Sequence, residues 1–436
     1  MLCRIRAYGY QGGESPRLSQ EKDREPFVNG KMFLPRIHFT DGGFPMSHYS
    51  TLFSHILAEL PRHHFETLTK QYNADRYIKK LTTWNQFTAL LYAQITGLES
   101  LREIENAFMV QNLRTYHLGL PSKICRNTLS NANAKRDWRI YEGMFYKLMD
   151  KCRNLTPKHK FKFSNPLYSI DSTIINLCLS VFPWSEIKHK KGAIKMHFQY
   201  DHSGDIPCFM IMTQGNKNDV VTAKAHFKPS RDSIYCFDRA YLDYHWFRRI
   251  SDAKGYFITR MKKKLSYRIV GQHESFKGPS RGVLSDDVIE LSGRDGKRAY
   301  SRQMRLIQYH DKELNKTFKF ITNHLKLSAR TIADIYKSRW QIESFFRWIK
   351  QNLKIKTFLG TSRNAVLTQI WSAMCYYLLL AYIKYQSKYA HSLYYLHKLI
   401  RAGLMERLSL LDTLNLSHNR LNRIRDDDLQ PFLPFA

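Results

Sequence analysis

Acidic side chains are scarce in this chain. Only 37 Asp and Glu stand against 69 Lys and Arg in 436 residues, a formal charge of +32. The cations run along the whole length rather than in one terminal block, so the expected partner is a polyanion, nucleic acid first and an anionic membrane surface second. Cysteine is sparse and unpatterned. Cys3, Cys125, Cys152, Cys178, Cys208, Cys236 and Cys375 are odd in number and contain no CxxC pair, which argues against a zinc site and a disulfide framework and fits a reducing cytoplasm. No apolar run follows "MLCRIRAYGYQGG", so a secretory signal is not expected, and there is no internal repeat. Aromatics, by contrast, make up 14%, far too many for a chain that stays unfolded. This length can bury a core and form two or three domains. One uncharged stretch, Ala365 to Ile383, is long enough to cross a bilayer. Its Thr, Gln and Ser, its polar "GTSRN" flank and the lack of a second such segment make it a buried core helix instead.

Residues 1–45 mix Gly, Pro, Ser and charge without periodicity and read as a disordered leader, with Met32 and Met46 as later possible starts of translation. From 46 to 155 apolar residues recur at three and four, broken at Pro61 and Pro121, the pattern of an all-helical domain. Within it "LPSKICRNTLSNANAKRDWRIY" starts at Ser122 and crowds Lys123, Arg126, Lys135, Arg136 and Arg139 together. That segment suits a helix-turn-helix reader of DNA and equally a solvated basic helix. After Pro166 the period changes to two. "LYSIDSTII", "KMHFQYD", "PCFMIMTQG", "SIYCFD" and "YFITRM" read as strands, with helices at "DVVTAKAHF" and "YLDYHWFRRISDAK", which makes a mixed α/β sheet over 160–390. A β-rich insertion is expected at 262–325, a helix from Tyr336 to Lys356, and a helical tail over 391–436.

Three of the scarce acids stand where acids are unexpected. Asp171 sits inside the apolar strand "YSIDSTII", Asp238 ends "IYCFD", and Glu343 lies in "YKSRWQIESFFRWIKQNLKIK" among arginines, lysines and aromatics. Taken singly, each is most simply a cap, a turn residue or half of an i,i+4 pair with Arg339. Taken together, two Asp at neighbouring strand ends and one Glu on a packed helix can converge, and a buried carboxylate costs several kcal/mol, roughly, unless it holds a cation or a hydrogen bond. Three carboxylates without His or Cys form a hard, all-oxygen donor set suited to Mg²⁺ or Mn²⁺ and to phosphoryl transfer. At about 100° per residue, Tyr336, Arg339, Glu343 and Lys350 share one helix edge. Arg339 and Lys350 would hold DNA phosphates there, and Tyr336 would donate its hydroxyl or stack on a base.

These residues resemble the signature of the DDE transposases of the insertion-sequence-four family. The pattern Y-x2-R-x3-E-x6-K is met by Tyr336, Arg339, Glu343 and Lys350. "YSIDSTII" is similar to the family's first Asp block and "FDRAY" to its second, with Ala240 where many members have Gly. "TQGNKNDV" and "YFITRMK" resemble the flanking stretches, and "WNQFTALLYAQITGLESLREIE" resembles the helical leader domain of a subset. The resemblance implies a ribonuclease H-like catalytic domain with a β-rich insertion behind an all-helical DNA-binding domain. It also implies two Mg²⁺ (or Mn²⁺) held by Asp171, Asp238 and Glu343, and double-stranded DNA as partner, both transposon ends and target. Cleavage and joining by a homodimer in a synaptic complex follow, in a cytoplasmic, nucleoid-associated bacterial protein without a membrane anchor. Studied relatives use an insertion tryptophan to hold a flipped base during hairpin formation. This insertion has none between Lys262 and Tyr336, so a hairpin intermediate is not implied unless Tyr267, Phe276 or Tyr300 supplies the stacking face. Two rivals remain on the residues alone: a catalytically inactive DNA-binding derivative of a transposase, and a ribonuclease H-like nuclease that cuts without joining.

Overall fold

The strand that carries Asp171 is the organising element. A computed structural model describes residues 50–415 apart from 117, 122, 188–190 and 263–264. The leader with its two methionines, the Ser122 start and residues 416–436 lie outside the described residues. Strand β1, Leu167–Leu177, is followed by β2, Lys191–Asp201, and β3, Ile206–Gln214, each antiparallel to the one before. The chain then crosses through α8, Asp219–His226, to β4, Ile234–Phe237, which runs parallel to β1 on its other side. A second crossing through α9, Tyr244–Asp252, adds β5, Tyr256–Arg260, parallel to β4. The order β3-β2-β1-β4-β5, antiparallel on one flank and parallel on the other, is the ribonuclease H-like arrangement, so the fold is mixed α/β as the strand pattern indicated.

Alternation along the strands sorts the two faces of this sheet. Ile170, Tyr235, Phe237 and Phe257 point to one side, where they pack with Ala223 of α8 and Trp246, Phe247 and Ile250 of α9. Phe247 and Phe257 stack with centroids 4.1 Å apart. Leu167, Ile234, Cys236 and Ile258 point to the other side, against Ile332, Ala333, Ile335 and Tyr336 of α11, Ala329–Ser338. Each such buried aliphatic or aromatic side chain contributes about 1.5–3 kcal/mol. The two layers fix the height and tilt of β1 and β4, and therefore of the residues at their ends.

The insertion extends the same sheet. Strands β6, Tyr267–Gln272, β7, Val283–Leu291, β8, Met304–Asp311, and β9, Lys316–Thr322, form an antiparallel meander whose last strand pairs with β5. With a two-residue strand at Glu186–Ile187, the described residues hold one ten-stranded sheet. A short helix, α10, Arg294–Ala299, interrupts the meander. Arg305 of β8 is fully buried; its guanidinium pairs with Asp286 of β7 and donates to the carbonyls of His324 (3.2 Å) and Leu327 (2.6 Å). That clasp anchors the turn leading into α11.

Residues 52–153 form helices α1 Leu52–Ala58, α2 Arg62–Gln71, α3 Thr83–Thr96, α4 Leu101–Val110, α5 Asn112–Tyr116, α6 Arg126–Lys135 and α7 Arg139–Arg153. Thr82 and Asn85 cap the start of α3 reciprocally, and Gly97 ends it at φ 82°, a left-handed position that glycine adopts without strain. The uncharged helix α13, Arg363–Gln386, packs among α3, α6 and α7. It has the length and apolarity to cross a membrane, yet its apolar window is wholly buried within the protein. Its polar residues have internal duties. Gln369 donates to the carbonyls of Lys354 and Thr357 and accepts from the Leu359 amide, clasping the loop after α12, Trp340–Asn352. Helix α14, Leu393–Gly403, follows.

Candidate active site

Asp171 and Asp238 become neighbours through strand register. The parallel ladder of β1 and β4 pairs Leu167 with Ile234, Tyr168 with Tyr235, Ser169 with Cys236 and Ile170 with Phe237. The ladder ends there, and continuing its register sets Asp171 beside Asp238, the residue just past the end of β4, with neighbouring strands about 4.8 Å apart. Asp238 keeps the extended backbone (φ −80°, ψ 177°), so the ladder's parity carries over. Asp171 follows Leu167 and Ser169, and Asp238 follows Ile234 and Cys236. Both acids therefore face the α11 side. Asp238 caps the turn Arg239–Tyr241 by accepting from the Ala240 amide at 2.6 Å, and its carbonyl accepts from the Thr259 hydroxyl at 3.2 Å.

Glu343 reaches this face from α12. The single helix expected from Tyr336 to Lys356 is two, α11 and α12, bent at Arg339. There the i→i−4 ladder gives way to i→i−3 bonds, Arg339 amide to Tyr336 carbonyl at 3.2 Å and Ile342 amide to Arg339 carbonyl at 3.1 Å. The Arg339 side chain turns inward and forks between two acids. Nη1 donates to Asp171 Oδ2 at 3.1 Å and Nη2 to Glu343 Oε1 at 2.7 Å. One guanidinium thus ties a strand-borne and a helix-borne carboxylate together. Its Nε is buried without a partner.

The electrostatics match this crowding. Burial pushes the Asp171 carboxyl up to about 6; the Ser172 amide and Arg339 pull it down, while Asp238 and Glu343 push the same way as burial. Burial works against the charge of Arg339, but Tyr336, Cys236, Asp171 and Glu343 outweigh it and raise its pKa. Burial also pushes Tyr336 up to about 12. Its ring lies in the core, 4.8 Å from that of Phe320, so it has no free face for a base. Only the hydroxyl could serve a phosphate.

Lys350 sits in the last turn of α12, half-buried, two turns and about 10.5 Å beyond Glu343. Burial and Lys356 lower its pKa. Arg126 and Lys135 are exposed on α6. Arg136 is not: 7% exposed, it donates to the carbonyls of Thr82 and Leu81 and to Gln86 Oε1, with Asp75 at 3.7 Å. Arg136 belongs to the helical core and has no guanidinium to offer DNA, a correction to the basic-helix reading. Of the aromatic stand-ins in the insertion, Tyr300 is also excluded, buried against Phe247 and Phe257 with its hydroxyl 3.1 Å from that of Ser251. Tyr267 and Phe276 are partly buried against the two sheet cores. An aromatic that the motif reading passed over is Trp340, 57% exposed one turn before Glu343; its place directly after Arg339 was the available signal.

Residues 162–379, half of the chain, match the transposase DDE domain family. The chain belongs to the DDE transposases. A Sinorhizobium fredii protein named as transposase y4zB is 33% identical over 58% of this chain and 69% of its own. A transposase named for insertion sequence element IS5377 of Geobacillus stearothermophilus is 26% identical over 62% and 70%, and one named for IS4SA of Synechocystis 22% over 58% and 70%. Residues 48–121 of this transposase match a domain of unknown function, DUF4372. The cryo-electron microscopy structure of a piggyBac transposase synaptic complex with hairpin DNA aligns with a TM-score of 0.40 at 10% identity, over 89% of this chain and 87% of that one.

Among the described residues no three His, Cys, Asp or Glu side chains close on one point as a metal cage. The donor chemistry nonetheless suits a hard divalent ion. The three acids are oxygen donors, Asp171 and Asp238 follow the last rung of one ladder, and a cation, the Arg339 guanidinium, offsets the charges of Asp171 and Glu343.

Proposed function

We propose that this transposase binds the terminal inverted repeats of a bacterial insertion sequence, cleaves the DNA ends and joins the freed 3′ ends to target DNA. The observation that carries this is the register that brings Asp171 and Asp238 together just past the last rung between β1 and β4, on the face to which Arg339 ties Glu343. Asp171, Asp238 and Glu343 would hold two Mg²⁺, with Mn²⁺ able to substitute, and such ions supply Lewis acidity at the attacking and leaving oxygens of an in-line displacement. Arg339 has a second duty in this reading. Its fork must leave the carboxylates before they can chelate, and the same planar set of donors then fits a DNA phosphate. Lys350 would add a point charge farther along the strand, and the Tyr336 hydroxyl a hydrogen bond. Arg126 and Lys135 on α6 would contact the end sequence, with two copies of the chain pairing the ends in a cytoplasmic, nucleoid-associated complex.

The test uses a fragment bearing one end of the element. Asp171→Asn and Glu343→Gln should each abolish Mg²⁺-dependent end cleavage while the protein still binds the fragment. Cleavage by either variant would overturn the assignment, and nicks without strand-transfer product would leave only a nuclease.

A further inference from the structure

Helix α2 ends at Gln71 and α3 begins at Thr83, and the connection between them carries an aromatic where the backbone disfavours one. The Ile78 amide donates to the Asp75 carbonyl at 3.1 Å and closes a turn over 75–78. Tyr77, third in that turn, has φ 62°, a left-handed conformation that suits Gly or Asn and strains a bulky side chain. No core packing offsets that strain. The Tyr77 side chain is 85% exposed, more than any other Phe, Tyr or Trp among the described residues. Arg76 covers one face of its ring, with the guanidinium 4.9 Å from the centroid and Nη2 donating to the Tyr77 hydroxyl at 3.0 Å. The loop beneath is firmly held: Asp75 Oδ1 accepts from the amide and the hydroxyl of Thr83, both at 2.7 Å, the Ala74 amide donates to the Thr69 carbonyl at 3.0 Å, and Arg136 of α6 donates to the carbonyls of Leu81 and Thr82. A strained aromatic on a fixed loop, facing solvent, is a feature that folding alone does not call for.

The surroundings are cationic. Lys70, Arg76, Lys79 and Lys80 are exposed, and the two acids between 62 and 80 are engaged elsewhere, Glu66 with Arg62 at 3.1 Å and Asp75 with Thr83 and, at 3.7 Å, Arg136. Among the described residues those four cations have no carboxylate within ion-pair distance. Arg76 also lines a cleft of about 420 Å³, together with Arg62, Phe65, Lys70 and Trp84. An open ring face, unpaired cations around it and an aromatic-lined cleft beside it are the combination that holds an unpaired nucleic-acid strand, whose bases stack on rings while its phosphates meet the cations. An intact duplex keeps its base faces against one another and offers none to Tyr77.

We infer that the turn at 75–78 is a contact site for single-stranded DNA, with a base stacked on Tyr77 and backbone phosphates at Lys70, Lys79 and Lys80. The inference goes beyond the function proposed above and does not depend on it, since binding alone is read. The experiment measures the affinity of the full chain for a short oligothymidine and for a mixed-sequence duplex of equal length, using wild type, Tyr77→Asn, Tyr77→Phe and a double variant with Lys79→Gln and Lys80→Gln. Loss of one stacked base should lower the single-strand affinity of Tyr77→Asn about five- to 150-fold and leave its duplex affinity unchanged. Tyr77→Phe keeps the ring and should bind as wild type does. Asparagine suits the left-handed turn, so the urea midpoint of Tyr77→Asn should lie at or above that of wild type, which separates a lost contact from a lost fold. The double lysine variant should show a single-strand salt slope shallower by about 1.4, at about 0.7 per phosphate. Unchanged single-strand affinity in Tyr77→Asn, an equal loss on the duplex, or failure of wild type to bind oligothymidine at any salt each overturns the site and leaves the assignment of Asp171, Asp238 and Glu343 standing.

Discussion

Asp171→Asn should make the metal-free protein more stable as it removes catalysis. The side chain is 20% exposed and its carboxyl is raised from 3.8 to about 6, first by burial and then by Asp238 and Glu343. A folded-state value above the unfolded one means that the native state favours the protonated acid. The associated stability is fully present below pH 3.8 and is lost as pH rises through about 6. At pH 7.5 the native protein therefore carries the whole penalty, about 3 kcal/mol at 1.36 kcal/mol per unit. Asparagine keeps the shape and the Ser172 contact without the charge, but it weakens the hold of Arg339 Nη1. The net expectation is a gain of about 1–2 kcal/mol.

Divalent ions should reverse that order. A ligand of the native state stabilises by RT ln(1 + [L]/Kd), about 2.7 kcal/mol at a hundredfold excess over Kd. Wild type should gain that much on adding Mg²⁺ or Mn²⁺, and the variant little. Urea unfolding at pH 7.5, in chelator and then in excess Mg²⁺, reads both effects without any cleavage assay. A variant less stable than wild type in chelator, together with an equal Mg²⁺ gain in both proteins, would show that Asp171 is neither strained nor a ligand.

Arg136→Met should cost about 2–4 kcal/mol, since it takes the guanidinium donor from the buried Leu81 carbonyl and from Gln86 Oε1, while the salt slope of DNA binding stays at the wild-type value; a shallower slope would return Arg136 to the DNA surface. His324 accepts the amides of Lys326 and Leu327 at Nδ1 and is held down to about 4 by burial and by Arg305. With the folded value below 6.5, its contribution is present above pH 6.5 and lost as pH falls toward 4, so His324→Gln should flatten the fall in urea midpoint across that window; an identical pH profile would refute it. Lys350→Ala should make the salt slope shallower by about 1 without affecting the fold, and an unchanged slope would mean that Lys350 meets no phosphate.

The acids were legible because each breaks a local rule that the chain otherwise keeps. A charge inside "YSIDSTII" contradicts the period-two burial around it, and one at the end of "IYCFD" closes an apolar strand where a turn residue would do. Register turned two such exceptions into neighbours. The bend at Arg339 was not legible. "KSRWQ" contains no glycine or proline and its helical period is unbroken, so nothing local announces a break. Nearby tertiary contacts supply what the local pattern lacks: Asp171 and Glu343 sit on different elements, and one guanidinium serves both at the point where α11 gives way to α12.

Neighbouring cations show the same limit more sharply. Lys135 and Arg136 are adjacent, both basic and both at the end of a helix, yet one is exposed and the other is among the least exposed cations described. Composition could not separate them, because the difference lies in which helix passes opposite. The Gln86 side chain of α3 and the chain entering that helix at Leu81 and Thr82 present three oxygens where the Arg136 fork arrives, and Lys135 points the other way. A net charge of +32 identifies the class of partner. Which cations meet that partner is decided by the packing that commits others, such as Arg136 and Arg305, inward, and so, Arg339 apart, the candidates for DNA contact are those that the core leaves unpaired.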